Sequence, residues 1–202
     1  LKYGPNIADW PAMQPLPENL LLEAACVIYD PVTTTDELIP SGETSSYRSN
    51  PLRLAEFTLS RKDPEYVSRA KSIGAAERAR LRYLGGDAGA AEELEKVYTG
   101  IGDPVLLAHT TGIGSVVAAV KPGDGSAREQ AASCQKVLGG WANIASAYAT
   151  KRYRSNLINW GMLPFTVDDF AGLSLKTGDR IFIKGIRAAV EHAESDIKAS
   201  LY

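Results

Sequence analysis

One stretch limits what this chain can fold into more than any other. The apolar run Ser115-Val-Val-Ala-Ala-Val120 leads into Gly123-Asp-Gly-Ser-Ala-Arg-Glu129, and an alanine-rich segment follows to Leu138. That order predicts a strand, a tight glycine turn and a helix over 127–138. Glycines let the backbone turn sharply and come close to a ligand. A helix start offers unpaired N–H groups and the positive end of the helix dipole, which together favour an anion. Ser126 and Arg128 stand where that field is strongest. Two readings of these residues stay open on local pattern alone. Ser126-x-x-Glu129 also fits a capping box, in which the serine only closes the helix end.

The rest of the chain narrows the class of protein. At 202 residues it can bury one good core, with or without an appendage. Its 22 basic and 24 acidic residues leave a net charge of −2, which argues against a nucleic-acid footprint. No apolar run approaches the roughly 20 residues that span a bilayer. Leu1-Lys-Tyr-Gly-Pro lacks the charged and apolar regions of a secretory signal, so the expected location is cytoplasmic. Cys26 and Cys134 are the only cysteines and stand far apart in sequence. They make no zinc pattern and are too few for an iron–sulfur cluster; buried, reduced packing is expected. With only His109 and His192, neither a His-based metal site nor a Ser-His-Asp triad is supported.

Taken in order, residues 1–20 carry four prolines and read as an extended arm, with Trp10 and Met13 able to pin it to a surface. Residues 20–29 read as a buried strand, and 30–50 as a surface loop rich in Thr, Ser, Pro and Gly. Pro51–Gly74 is expected to be helical, broken at Asp63-Pro64 with Asp63 as the new cap. Residues 75–84 and 88–98 are expected as further helices, so that about 57–98 forms a helical insert. Arg78, Arg80 and Arg82 read as a solvated face paired with Glu77, Glu92, Glu93 and Glu95. Short strands and helices then alternate: strand over 113–120, helix 127–138 ended by Gly139-Gly140, strand 141–148, helix 150–160, and strands at 162–167 and 179–184. An amphipathic helix over 186–202 is expected to close the chain. The alternation predicts an α/β layered domain over 21–202.

Several of these stretches together resemble one family. Thr34-Thr35-Asp36 matches a T-T-D-H segment, Gly125-Ser126-Ala127-Arg128-Glu129 a G-S-S-R-E segment, and Leu138-Gly139-Gly140 a strand approach. Arg154-Ser155-Asn156-Leu157 with Gly161-Met162-Leu163-Pro164 matches a further pair of segments. In this order, over roughly 26–169, they are similar to the C-terminal swivel domain of the aconitase family of hydro-lyases. The small subunit of isopropylmalate isomerase is a relative of that domain. The resemblance implies a β/β/α layered swivel fold.

It also implies roles. Ser126 corresponds to the base that removes a proton alpha to a carboxylate, and Arg128 to a carboxylate-binding arginine. Arg48, twelve positions beyond Asp36, corresponds to a second such arginine, and Asp36 to a member of the active-site network. Gly125 and Ala127 flank the base in the substrate-binding turn. Two positions depart from the pattern: Ala127 stands for a second serine, and Glu37 for a histidine. Aconitase-type chemistry needs a [4Fe–4S] cluster whose open iron binds the leaving hydroxyl, and its three cysteines lie in other domains. The resemblance therefore implies half of an active site for a hydroxy-carboxylic acid, completed by cluster-bearing domains in the same polypeptide or a separate subunit. A non-catalytic binding or regulatory module on the same fold is the alternative. A phosphate-binding enzyme built on the glycine turn lacks the lysine of a phosphate loop.

Overall fold

A computed structural model describes residues 3–202. The first two residues of the expected arm lie outside the described residues. In chain order the strands are β1 (Asn19–Ile28), β2 (Thr33–Thr34), β3 (Thr111–Ala119), β4 (Pro122–Asp124), β5 (Gly140–Ala145), β6 (Leu163–Thr166), β7 (Arg180–Ile183) and β8 (Ser200–Leu201). The helices are α1 (Thr35–Leu38), α2 (Pro51–Ala55), α3 (Tyr66–Leu84), α4 (Ala91–Tyr98), α5 (Pro104–Thr110), α6 (Arg128–Val137), α7 (Lys151–Asn159) and α8 (Ile186–Glu191).

Six strands form one sheet in the order β6-β5-β3-β1-β7-β8. The neighbours from β6 to β1 run parallel, and β7 and β8 add antiparallel at the other edge. Central β3 is buried at every residue, as expected for a parallel strand covered on both faces. One face carries Leu21, Ile113 and Val117 against Tyr66, Ala70, Leu94, Tyr98 and Leu157 of the helices. The other carries Leu20, Leu22, Val116 and Trp141 against Phe170, Leu175 and Ile186. A register shift between Ala24 and Cys26 re-phases β1, so that Ala25 and Cys26 both reach the helical side. The fold is thus a mixed α/β layered domain.

The structure corrects several local expectations. The break expected at Asp63-Pro64 is present but begins earlier: α2 ends at Ala55, irregular turns occupy 56–65, and α3 runs unbroken through Gly74 to Leu84. Leu38 accepts from the Leu59 amide at 2.8 Å, and this long-range bond diverts the chain out of helix after α2. Leu59 there holds φ of 55° while fully buried. Asp63 is not the helix cap; that position is Glu65. The expected closing helix over 186–202 stops at Glu191, because Ala193 takes φ of 54° and the chain end returns to the sheet. There Tyr202 and Arg180 exchange backbone bonds of 2.8 and 3.1 Å. Residues 104–110 form a helix, capped by Asp103 accepting from the Leu106 amide at 3.0 Å.

The charges on α3 also differ from expectation. Arg80 is buried rather than solvated; it donates twice to Glu77, at 2.8 and 2.6 Å, and to the Ala108 carbonyl at 3.0 Å. Glu77 in turn accepts from the Ile113 amide at 2.8 Å, which ties α3 to the start of β3. Arg82 pairs with Asp87 and Glu93 at the surface. Before β1 the chain is irregular, and Trp10 packs on Trp160 with ring centroids 4.4 Å apart and planes tilted by 40°.

Candidate active site

The glycine turn is made by two positions that only glycine fits. Gly123 has φ of 97°, and a Cβ on it would meet the Tyr153 ring at 2.3 Å. Gly125 has φ of 134°, and its Cβ would meet Thr35 Oγ1 at 2.2 Å. L side chains rarely adopt such angles, and here they would also collide. The turn is therefore clamped between α7 and the first residue of α1. Thr150 completes the clamp: it caps α7 by accepting from the Tyr153 amide at 3.2 Å and donates to the Gly123 carbonyl at 3.1 Å.

Below the turn lies a closed ring of buried polar groups. Gln135 donates to Tyr153 Oη at 2.9 Å, Tyr153 donates to Asn143 Oδ1 at 2.7 Å, and Asn143 donates back to Gln135 Oε1 at 2.7 Å. Gln135 also donates to the Ala131 carbonyl at 2.8 Å. Each member is satisfied by the others, so α6, α7 and β5 are locked in one mutual position. Nothing in the residue pattern pointed to this support. Its signal was present only as polar residues within apolar stretches.

Helix α6 begins at Arg128 with Ala127 at its cap, and no side chain accepts from its first-turn amides. Ser126 is exposed and does not cap the helix; the capping-box reading is corrected. Its expected partner Glu129 is drawn away and accepts from Trp160 Nε1 at 3.1 Å. The helix N-terminus thus keeps its donors and its positive field beside the Ser126 hydroxyl. Arg128 is half-buried, its Nε fully buried without a partner, and it makes no ion pair among the described residues. A guanidinium held this way has its carboxylate-binding capacity unspent.

Asp36 and Glu37 lie on α1, whose first residue, Thr35, touches Gly125. Thr35 so packs on the turn that holds Ser126, Ala127 and Arg128, while Asp36, the next residue of α1, is exposed and bonded to Arg61. Glu37 is the partner of Thr34 in a capping box: Thr34 N donates to it at 2.7 Å, and Thr34 Oγ1 accepts from the Glu37 amide at 3.2 Å. Burial pushes its carboxyl up, but the Thr34 bonds and Lys62 prevail and hold it below the usual carboxylate range. The glutamate that departs from the family pattern therefore closes a helix end.

Two cations absent from the sequence reading organise this loop. Arg61 holds Asp36 at 2.6 Å and also Glu43, while Lys62 holds Asp30 and, at 3.4 Å, Glu37. They sit just after the strained Leu59 turn, so the segment 59–62 straps the loop 30–43 in place. The signal for them was only a basic pair opposite an acidic loop. Arg48 is exposed at the end of a 3-10 turn over Ser45–Tyr47, and no hydrogen bond or ion pair joins it to Asp36, Ser126 or Arg128 among the described residues.

Over residues 90–169, which include the glycine turn and its supports from α6, α7 and β5 but not Thr35, the chain matches the model of the aconitase C-terminal domain. The chain's fold is similar to that of a 3-isopropylmalate dehydratase (leuD) from Methanocaldococcus jannaschii, with a TM-score of 0.50 and 21% identity, covering 91% of this chain and 83% of that one. No curated protein matches the chain.

The cluster of aconitase-family enzymes can be tested against the thiols present. Cys26 and Cys134 are both buried in the core against the helical layer. Burial first, then Asp63, pushes the Cys26 thiol up; burial above all pushes Cys134 up to about 12. Cluster ligands are thiolates. Two protonated core thiols do not fit that task, and no group of three or more His, Cys, Asp and Glu suited to a metal occurs among the described residues. No helix among them is long and apolar enough to cross a membrane.

Proposed function

We propose that this chain is the swivel part of an aconitase-like hydro-lyase, similar in role to the small subunit of isopropylmalate isomerase, and that it acts on a hydroxy-carboxylic acid. Ser126 is the base. Its alkoxide takes the proton alpha to a substrate carboxylate and becomes the neutral hydroxyl, while the uncapped amides of α6 stabilise the alkoxide beforehand. Arg128 grips that carboxylate, where negative charge builds as the proton leaves, so its contacts strengthen in the transition state. Asp36, fixed by Arg61, borders the same turn. Arg48 reaches the carboxylate when the loop 44–50 meets substrate. The [4Fe–4S] cluster belongs to a partner subunit or to further domains, since neither thiol here suits it.

The observation that carries this reading is the pairing of an uncapped helix N-terminus with an arginine that has no acid partner, beside an exposed serine. Ser126→Ala, assayed with the cluster-bearing portion supplied, should lower the dehydration rate by about 100-fold or more. A variant with wild-type rate would remove Ser126 from the mechanism. Arg128→Gln should mainly raise KM and also lower kcat.

A further inference from the structure

The far end of α6 holds a group that the catalytic reading does not use. Lys136 is 8% exposed, yet it forms no ion pair among the described residues. Its Nζ lies 3.7 Å from the Trp141 ring centroid, and its hydrogen bond, to the Gly161 carbonyl, is long at 3.5 Å. Burying a charge without an acid is costly. Well-packed Met would fill the same space without that cost. Lys136 also lines two adjoining voids beneath the N-terminal arm, of about 470 and 690 Å³. Both fall in the size range of small-molecule sites.

The two voids differ in chemistry. The first is bordered by α3, the end of α2 and the end of α6, and its charged groups are Glu56, Lys71, Glu77, Arg78 and Lys136. Lys71 pairs with Glu56 at 2.5 Å and Glu77 pairs with Arg80 at 2.6 Å. Lys136 and Arg78 are left as two cations without acids among the described residues. The second void is walled by apolar groups such as Met13, Ile158, Trp160, Leu163 and Val190. Trp141 stands between them and borders both.

We propose that this cleft is a second binding site, for an amphiphilic monocarboxylate whose carboxylate meets Lys136 and Arg78 and whose apolar body lies past Trp141 toward Trp160. Lys136 follows Arg128 by eight residues, about 12 Å along the helix at 1.5 Å per residue. The cleft is therefore distinct from the Ser126 end, and it stands whether or not the catalytic reading does. One helix connects the two.

The protein supplies its own probe, because its three tryptophans, Trp10, Trp141 and Trp160, all gather here. Octanoate, octan-1-ol and acetate are titrated separately into the full chain while intrinsic fluorescence is followed. Octanoate should give a saturable change, with octanol and acetate each weaker by about tenfold or more. Lys136→Met should weaken octanoate by about tenfold and Arg78→Gln by several-fold, with octanol unaffected in both. Circular dichroism confirms that each variant is folded. No saturable octanoate response, equal affinity for octanol, or wild-type octanoate affinity in Lys136→Met would each overturn the proposal.

Discussion

Replacing Lys136 by methionine should make the protein more stable, and the gain should depend on pH in a defined way. Burial lowers the Lys136 amine from its ordinary 10.5 to about 8, with no acid to offset it. Glu56, Lys71, Glu77 and Arg78 border the cleft it lines, and both acids are paired to other cations. A base whose folded pKa lies below its unfolded value is penalised while it is charged. Below pH 8 both states carry the proton and the penalty is complete. Between pH 8 and 10.5 the unfolded chain binds more protons than the folded one, so wild-type stability rises with pH. Above that window the penalty is gone. Taken alone, the shift corresponds to about 3 kcal/mol. Loss of the contact with the Trp141 face returns about 1 kcal/mol of it, so a net gain of about 2 kcal/mol is expected at pH 7. Urea unfolding followed by far-ultraviolet circular dichroism, for both proteins at several pH values, measures the difference while other titrations cancel. A variant that is less stable at pH 7, or a difference unchanged from pH 7 to 10.5, would refute this account.

Other expectations follow from the site's supports. Gly123→Ala should cost about 3 kcal/mol or more in the same unfolding assay, since it combines a disfavoured φ with a collision against the Tyr153 ring. Tyr153→Phe should cost about 1–3 kcal/mol, because it leaves Asn143 Oδ1 buried without its donor; a neutral result would mean water takes the place of the hydroxyl. Glu37→Gln should be nearly neutral at low pH and destabilising near neutrality. Its carboxyl is held below the usual range, so its contribution is present above the unfolded value and is lost as pH falls through the folded one. A titration of stability from pH 7 to 3 checks this, and an unchanged wild-type-minus-variant difference would count against it.

Much of the layered fold was legible from local pattern. The strands β1, β3, β5, β6 and β7 lie where apolar runs placed them, and Gly139, at φ of 93°, follows the end of α6. Thr150 caps α7 just where a helix was expected to begin, and Gly161 follows its end. What failed were the places where a distant contact overrode local preference. Leu59 bonds to Leu38 and ends a helix that its own neighbours favour. Gly74 sits inside α3, where packing against β1 and β3 outweighs its poor propensity. Arg80 looked like one of three surface arginines, and only the arrival of the Ala108 carbonyl and Glu77 made it a core group.

The sequence by itself determined the glycine turn, because positive φ at 123 and 125 is a property that no other residue supplies cheaply. It also determined which chemistry-bearing residues flank that turn. Only the tertiary structure decided what those residues are free to do. Ser126 is left uncommitted because Trp160, far along the chain, draws Glu129 away from the cap. Thr35 meets the turn because α1 packs on Gly125, and Lys136 is unpaired because each nearby acid already has another cation. Pairing and burial are set by which groups meet across the fold, and residue identity alone carries no distance.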